Sequence, residues 1–90
     1  MDYELIEKYL YKLFNLYVKP QFSEIKQIVI KNLESSNFLY EGKPILFLDL
    51  YIAVDGTDEE QEEEIISEIQ DVIDNVGLKF NIEIEWDNLA

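Results

Sequence analysis

Pro44-Ile45-Leu46-Phe47-Leu48-Asp49-Leu50-Tyr51-Ile52-Ala53-Val54-Asp55-Gly56-Thr57-Asp58-Glu59-Glu60-Gln61-Glu62-Glu63-Glu64 is the stretch on which the fold turns. It opens with an apolar run broken only by Asp49, a pattern that suits a central strand covered by helices on one side and in part on the other. Asp55-Gly56 turns the chain. Thr57 and Glu60 stand at the S/T-x-x-E spacing of a capping box, and the helix they predict is acid-rich before apolar positions resume at Ile65. Ile65, Ile66, Ile69, Val72, Ile73 and Val76 then form an amphipathic stripe. Gly77 stands where a left-handed residue ends a helix.

Working outward, Leu78, Phe80, Ile82, Ile84 and Trp86 alternate with Lys79, Asn81, Glu83, Glu85 and Asp87, which predicts a last strand with one wet face. Asn88-Leu89-Ala90 reads as a frayed tail. Upstream, Phe38-Leu39-Tyr40, Glu41-Gly42-Lys43-Pro44 and the run from Ile45 read as a β-hairpin with a short loop. Residues 22–36 fit two patterns. Phe22, Ile25, Val29 and Leu33 keep helical spacing, with Ser23 as a cap. Gln27-Ile28-Val29-Ile30 is β-branched and alternates with lysines as a strand would. The helix is the preferred reading, broken at Ser35-Ser36-Asn37. Asp2 to Val18 is a helix with Ile6, Tyr9, Leu10, Leu13, Leu16 and Tyr17 on one side and Glu4, Glu7, Lys8, Lys12 and Asn15 on the other. Tyr11 falls on the polar side, and Lys19-Pro20 ends the helix.

The expected order is therefore α-α-β-β-α-β: a small single α+β domain over residues 1–90, with a mixed three-stranded sheet and helices mainly on one face. A strand, a helix and a further strand close as a parallel crossover, while the hairpin is antiparallel. Ninety residues can just sustain one core without staples, and 48% hydrophobic residues separate the chain from disordered acidic tails.

Composition narrows the chemistry. The chain has no Cys and no His, and its seven basic residues are all Lys. No disulfide framework, thiolate metal site or His-activated nucleophile is possible. The three glycines are isolated at turns, so there is no phosphate cradle. No apolar run approaches the roughly 20 residues that span a bilayer, and Met1-Asp2-Tyr3-Glu4 is acidic where a signal peptide is basic. A soluble, cytoplasmic protein without cofactors is expected.

Carboxylates are plentiful enough to weigh a metal-dependent site built from Asp49, Asp55, Glu83, Glu85 and Asp87. Leu48-Asp49-Leu50 resembles the strand motif of nucleotidyltransferase active sites. The Gly-Ser loop on a preceding helix that such a resemblance implies is missing, and Asp49 reads instead as a solvated or lysine-paired residue. Asp55-Gly56-Thr57-Asp58 lacks the alternating ligands of an EF-hand loop. No metal site and no catalytic residues are assigned.

The net charge of −13 is unevenly placed. Through Leu48 six acids cancel six lysines; from Asp49 onward fourteen acids face Lys79 alone. Such a field repels nucleic acid and anionic membranes and attracts a basic protein. First-turn acids favour the helix dipole by roughly 0.3–1 kcal/mol each. The run Asp58, Glu59, Glu60, Glu62, Glu63 and Glu64 goes beyond one turn, and like charges four apart cost a few tenths of a kcal/mol per pair. Glu68, Asp71 and Asp74 extend the same side. With Glu83, Glu85, Trp86 and Asp87 on the last strand, acids and an aromatic suggest the anchor and rim of a protein interface. These residues, Asp74 excepted, are the candidate partner-binding set; the competing reading is a solvated face that only keeps the protein soluble.

The function expected is non-enzymatic: binding and neutralising a basic partner, a nuclease toxin or another nucleic-acid-processing enzyme. In size, acidity and lack of Cys the chain resembles bacteriocin and contact-dependent-inhibition immunity proteins, and no sequence motif carries that resemblance. A nucleic-acid mimic of the anti-CRISPR or anti-restriction kind shares the same physics. A homodimer or adaptor using the wide apolar arc of the first helix is a third reading.

Overall fold

The computed structural model describes residues 2–89. Met1 and Ala90, where part of the acidic start and of the tail fall, lie outside the described residues. The chain forms helix α1 (Tyr3–Leu13), strand β1 (Ile25–Tyr40), strand β2 (Lys43–Val54), helix α2 (Glu59–Asp74) and strand β3 (Lys79–Asn88). The strands make one sheet in the order β1-β2-β3, with β1 antiparallel and β3 parallel to the central β2. This is a small α+β domain with a mixed three-stranded sheet and two helices. The second helix expected near the start is absent.

Residues 25 to 36 belong to β1, which corrects the helix preferred from spacing. Its buried positions are Ile25, Ile28, Ile30 and Leu33. Pairing with β2 shifts register between Ile25 and Gln27 and again between Ile30 and Asn32. Each bulge inserts a residue into the ladder, so steps of three interrupt the strand period of two and imitate a helix. Ser35-Ser36-Asn37 does not end the element either; a further shift between Ser35 and Leu39 carries the strand to Tyr40. The hairpin closes through Glu41 and Gly42 alone, with φ of 51° and 78°. Two left-handed central residues make the mirror-image turn that matches strand twist.

α1 continues into a π-helical turn, Phe14–Val18, and a 3-10 turn, Lys19–Gln21. An i, i+4 row drifts around an α-helix because 3.6 residues make a turn. The wider π turn takes up that drift, and Leu10, Phe14 and Val18 all stay fully buried. Tyr11, placed on the polar side by its wheel position, is half-buried. Its Oη accepts the backbone N–H of Ile30 at 2.7 Å, a donor at the β1 bulge.

The core lies between the helices and one face of the sheet. Leu46, Leu48, Leu50, Ile52 and Val54 of β2 are buried with Ile65, Ile69, Val72 and Ile73 of α2 and the inner side of α1. The capping box of α2 begins one residue later than expected. Asp58 Oδ1 accepts from the Gln61 amide at 2.9 Å and Gln61 Oε1 from the Asp58 amide at 3.0 Å. Thr57 is buried, and its carbonyl accepts from Asn88 Nδ2 at 2.9 Å, which holds it ahead of the cap. Gly77 has the left-handed φ of 82° expected of it.

Candidate functional site

Strand alternation divides the acidic residues between two surfaces. Leu46, Leu48, Leu50 and Ile52 are in register with Phe80, Ile82, Ile84 and Trp86, so these β3 residues turn toward the helices and pack against the core. Asp49, Tyr51 and Ala53 are in register with Glu83, Glu85 and Asp87, which places those acids on the opposite, open face of the sheet. Trp86 is half-buried on the helix side, away from Glu85 and Asp87. The carboxylates of α2 are on the helix layer. The residues expected to form one partner surface are thus not brought into a single patch.

On the open face Glu85 and Asp87 have partners. Lys31 Nζ reaches across β2 to Glu85 Oε2 at 3.1 Å, and the Tyr51 hydroxyl donates to Asp87 Oδ2. That bond, partial burial and the charges of Asp87 and Glu85 hold the Tyr51 pKa above its ordinary 10.0. Asp55, beyond the end of β2, lies 3.8 Å from Lys26 Nζ. Asp49 is the cross-strand neighbour of Asn32 and Glu83. Among the described residues no three carboxylates come together in a way that could hold a metal ion.

On α2 the arrangement differs. Asp58 is used as the cap, and Glu68 Oε1 accepts from Gln21 Nε2 at 2.8 Å. Glu59, Glu60, Glu63, Glu64, Asp71 and Asp74 are exposed and Glu62 is half-buried. Both ion pairs among the described residues involve β1 lysines and lie elsewhere, so none of these seven side chains has a cation partner among the described residues. The N-terminal dipole offsets the charge of Glu59, Glu60 and Glu62, but the effect fades beyond the first turn.

The structure also leaves apolar surface that wheel positions assigned to a buried arc. Leu5 is 64% exposed, Leu16 55%, Tyr17 54% and Tyr9 48%. Tyr9, Leu13 and Tyr17 line a groove of about 390 Å³ whose other wall is Glu68, Asp71, Val72 and Asn75 of α2. Leu5, Ile6, Tyr9 and Val76 line a second hollow that shares Tyr9 with the first. The width of the arc was the available signal, because a helix lying on one sheet buries only a stripe. Phe38, 69% exposed, and Leu39 stand at the hairpin end, beyond the part of the sheet the helices cover.

Comparison of the chain with protein-family models, with curated proteins and with solved structures finds no match in any of the three. No helix among the described residues is long and apolar enough to cross a membrane.

Proposed function

We propose that this chain is a non-enzymatic binding protein that captures and neutralises a basic protein, in the manner of an immunity or inhibitor protein acting on a nuclease-type toxin. One observation carries the reading: among the described residues the carboxylates of α2 from Glu59 to Glu64, with Asp71 and Asp74, have no cation partner, whereas Glu85 and Asp55 do. A helix that keeps such repulsion in the free state recovers it when a cationic surface arrives. The field of a protein at −13 also speeds encounter with such a partner.

The test is affinity capture from the native host's lysate with elution by rising salt, followed by association kinetics with the basic protein recovered. Replacing Glu59, Glu62, Glu63 and Glu64 with Gln is expected to slow association about tenfold or more at low salt and to flatten its salt dependence. Recovery of the protein alone, or an unchanged association rate in the variant, sinks the reading. The exposed stripe of α1 supports a second reading, in which another copy of the chain covers Leu5, Tyr9, Leu16 and Tyr17. Light scattering that finds a tight dimer favours it.

A further inference from the structure

We propose that the groove between α1 and α2 seats an amphipathic helix of the partner, with its apolar side on α1 and a row of lysines or arginines along α2. The inference rests on the reading of the chain as a binder of basic proteins, and it names the place and the mode. Leu5, Tyr9, Leu13 and Tyr17 are spaced four apart and form a slowly winding row on α1 and the π turn after it, with Tyr9 common to both hollows. From Leu5 to Tyr17 that row spans about 18 Å at 1.5 Å per residue, the length of a visiting helix of about three turns. Leu5 and Tyr17 are more than half exposed and Tyr9 nearly so, which puts two tyrosines on the open surface. A contiguous exposed row of this kind marks an interaction surface more often than scattered apolar residues do. Helix-in-groove recognition reads such anchors at the i, i+4 and i+7 positions of the visitor.

The walls decide the charge and the direction of the occupant. Glu68 and Asp71 line the α2 side, and the uncompensated acids of the same helix continue outward from them. On α1, Lys8 and Lys12 are exposed and neither lines the groove. A visiting helix therefore carries its cations on the α2 flank and neutral or acidic residues on the other. A second copy would bring −13 against −13, and an anionic lipid surface would be repelled by the same wall. The groove is also preformed at one end. Gln21 Nε2 donates to the Tyr17 carbonyl at 2.6 Å and to Glu68 Oε1 at 2.8 Å, tying the end of the first helical segment to α2. Fixed walls lower the ordering cost of docking.

The probe is a dye-labelled synthetic helical peptide with leucines along one side and lysines along one flank. Its binding is read by anisotropy at low salt, with backbone amide shifts of the protein to locate it. A peptide of equal charge with the leucines replaced by serine is the control. Binding is expected to perturb α1 and α2 residues of the groove and to weaken about tenfold or more with Leu5→Ser/Tyr9→Ser or with the leucine-free peptide. Asp71→Lys should weaken it as well, and Glu59→Gln, outside the groove, much less. Binding that depends on α2 acids yet ignores the Leu5/Tyr9 pair and the leucines overturns the groove while leaving the acidic-binder reading in place. No binding of either peptide at low salt overturns both. A dimer that Tyr9→Ser dissolves makes a second copy the occupant and overturns the proposal.

Discussion

Glu63 on α2 and Glu85 on β3 are both exposed carboxylates, yet only Glu85 has an ammonium group, that of Lys31, 3.1 Å away. The contrast extends to their surroundings. On the open sheet face Asp87 receives the Tyr51 hydroxyl, and beyond the strand ends Asp55 lies near Lys26. On the outer side of α2, Glu59 and Glu63, and Glu60 and Glu64, are like-charged pairs four apart, each costing a few tenths of a kcal/mol. Glu85 and Asp87 thus tie strands together, as Asp49 and Glu83 on the same face do not among the described residues, whereas the outer acids of α2 add only the first-turn dipole effect. Exposed acids therefore differ in their availability to a partner, and the longest run without a cation among the described residues is on the helix beside the groove.

The largest expected effect separates the platform from the charges it displays. Ile69 is fully buried on the inner side of α2, so Ile69→Ala should cost about 2–5 kcal/mol through lost burial and the cavity left behind. Urea unfolding measures it. Ile82, half-buried on β3, should cost less as Ile82→Ala, and an equal loss at both sites would mean that α2 is no better anchored than the edge of the sheet. Next comes a distinction within the acids of α2. Asp58 caps the helix with reciprocal bonds to Gln61, so Asp58→Ala should lose about 1 kcal/mol. Replacing Glu59, Glu62, Glu63 and Glu64 with Gln should leave stability unchanged or raise it by a few tenths of a kcal/mol. A marked loss in that variant would show that these acids have structural partners after all.

The smallest effect is spectroscopic. The raised pKa of Tyr51 means that its contribution to stability is complete below the unfolded value of 10.0 and is lost as pH rises through the higher folded value. Absorbance titration of phenolate should show Tyr51 ionising late, and Asp87→Asn should bring it earlier. An unchanged titration in Asp87→Asn would remove the Tyr51–Asp87 contact from the comparison.

The parts of the fold legible from residues were those whose period is unbroken. Ile65, Ile69, Val72 and Ile73 kept helical spacing and are buried; Phe80, Ile82, Ile84 and Trp86 alternated with polar residues and share one side of the sheet. The bulges of β1 put buried residues at 25, 28, 30 and 33, a spacing between the two periods that imitates a helix in the sequence. Tyr11 packs inward from a position the wheel calls polar because its hydroxyl accepts an edge-strand amide, that of Ile30. For the candidate site, the charge of α2 was plain in the sequence. Its separation from Glu83, Glu85 and Asp87 depends on which face of the sheet α2 covers, a tertiary fact. The exposure of Leu5, Tyr9 and Tyr17 was hidden for the same reason, since an apolar residue reads as core until the area of the facing sheet is known.

The parallel pairing of β3 has a kinetic consequence. The β1–β2 hairpin can zip from its two-residue turn, but β3 reaches β2 only after the chain through α2 has been closed into a crossover. That crossover contains the densest run of like charge in the protein, so mutual repulsion opposes loop closure in the step that completes the sheet. We predict that refolding accelerates as added salt screens these charges, while the four-Gln variant folds faster at low salt and responds less to salt. Stopped-flow refolding at low and high salt decides it, and a parent rate indifferent to salt would place helix formation outside the rate-limiting step.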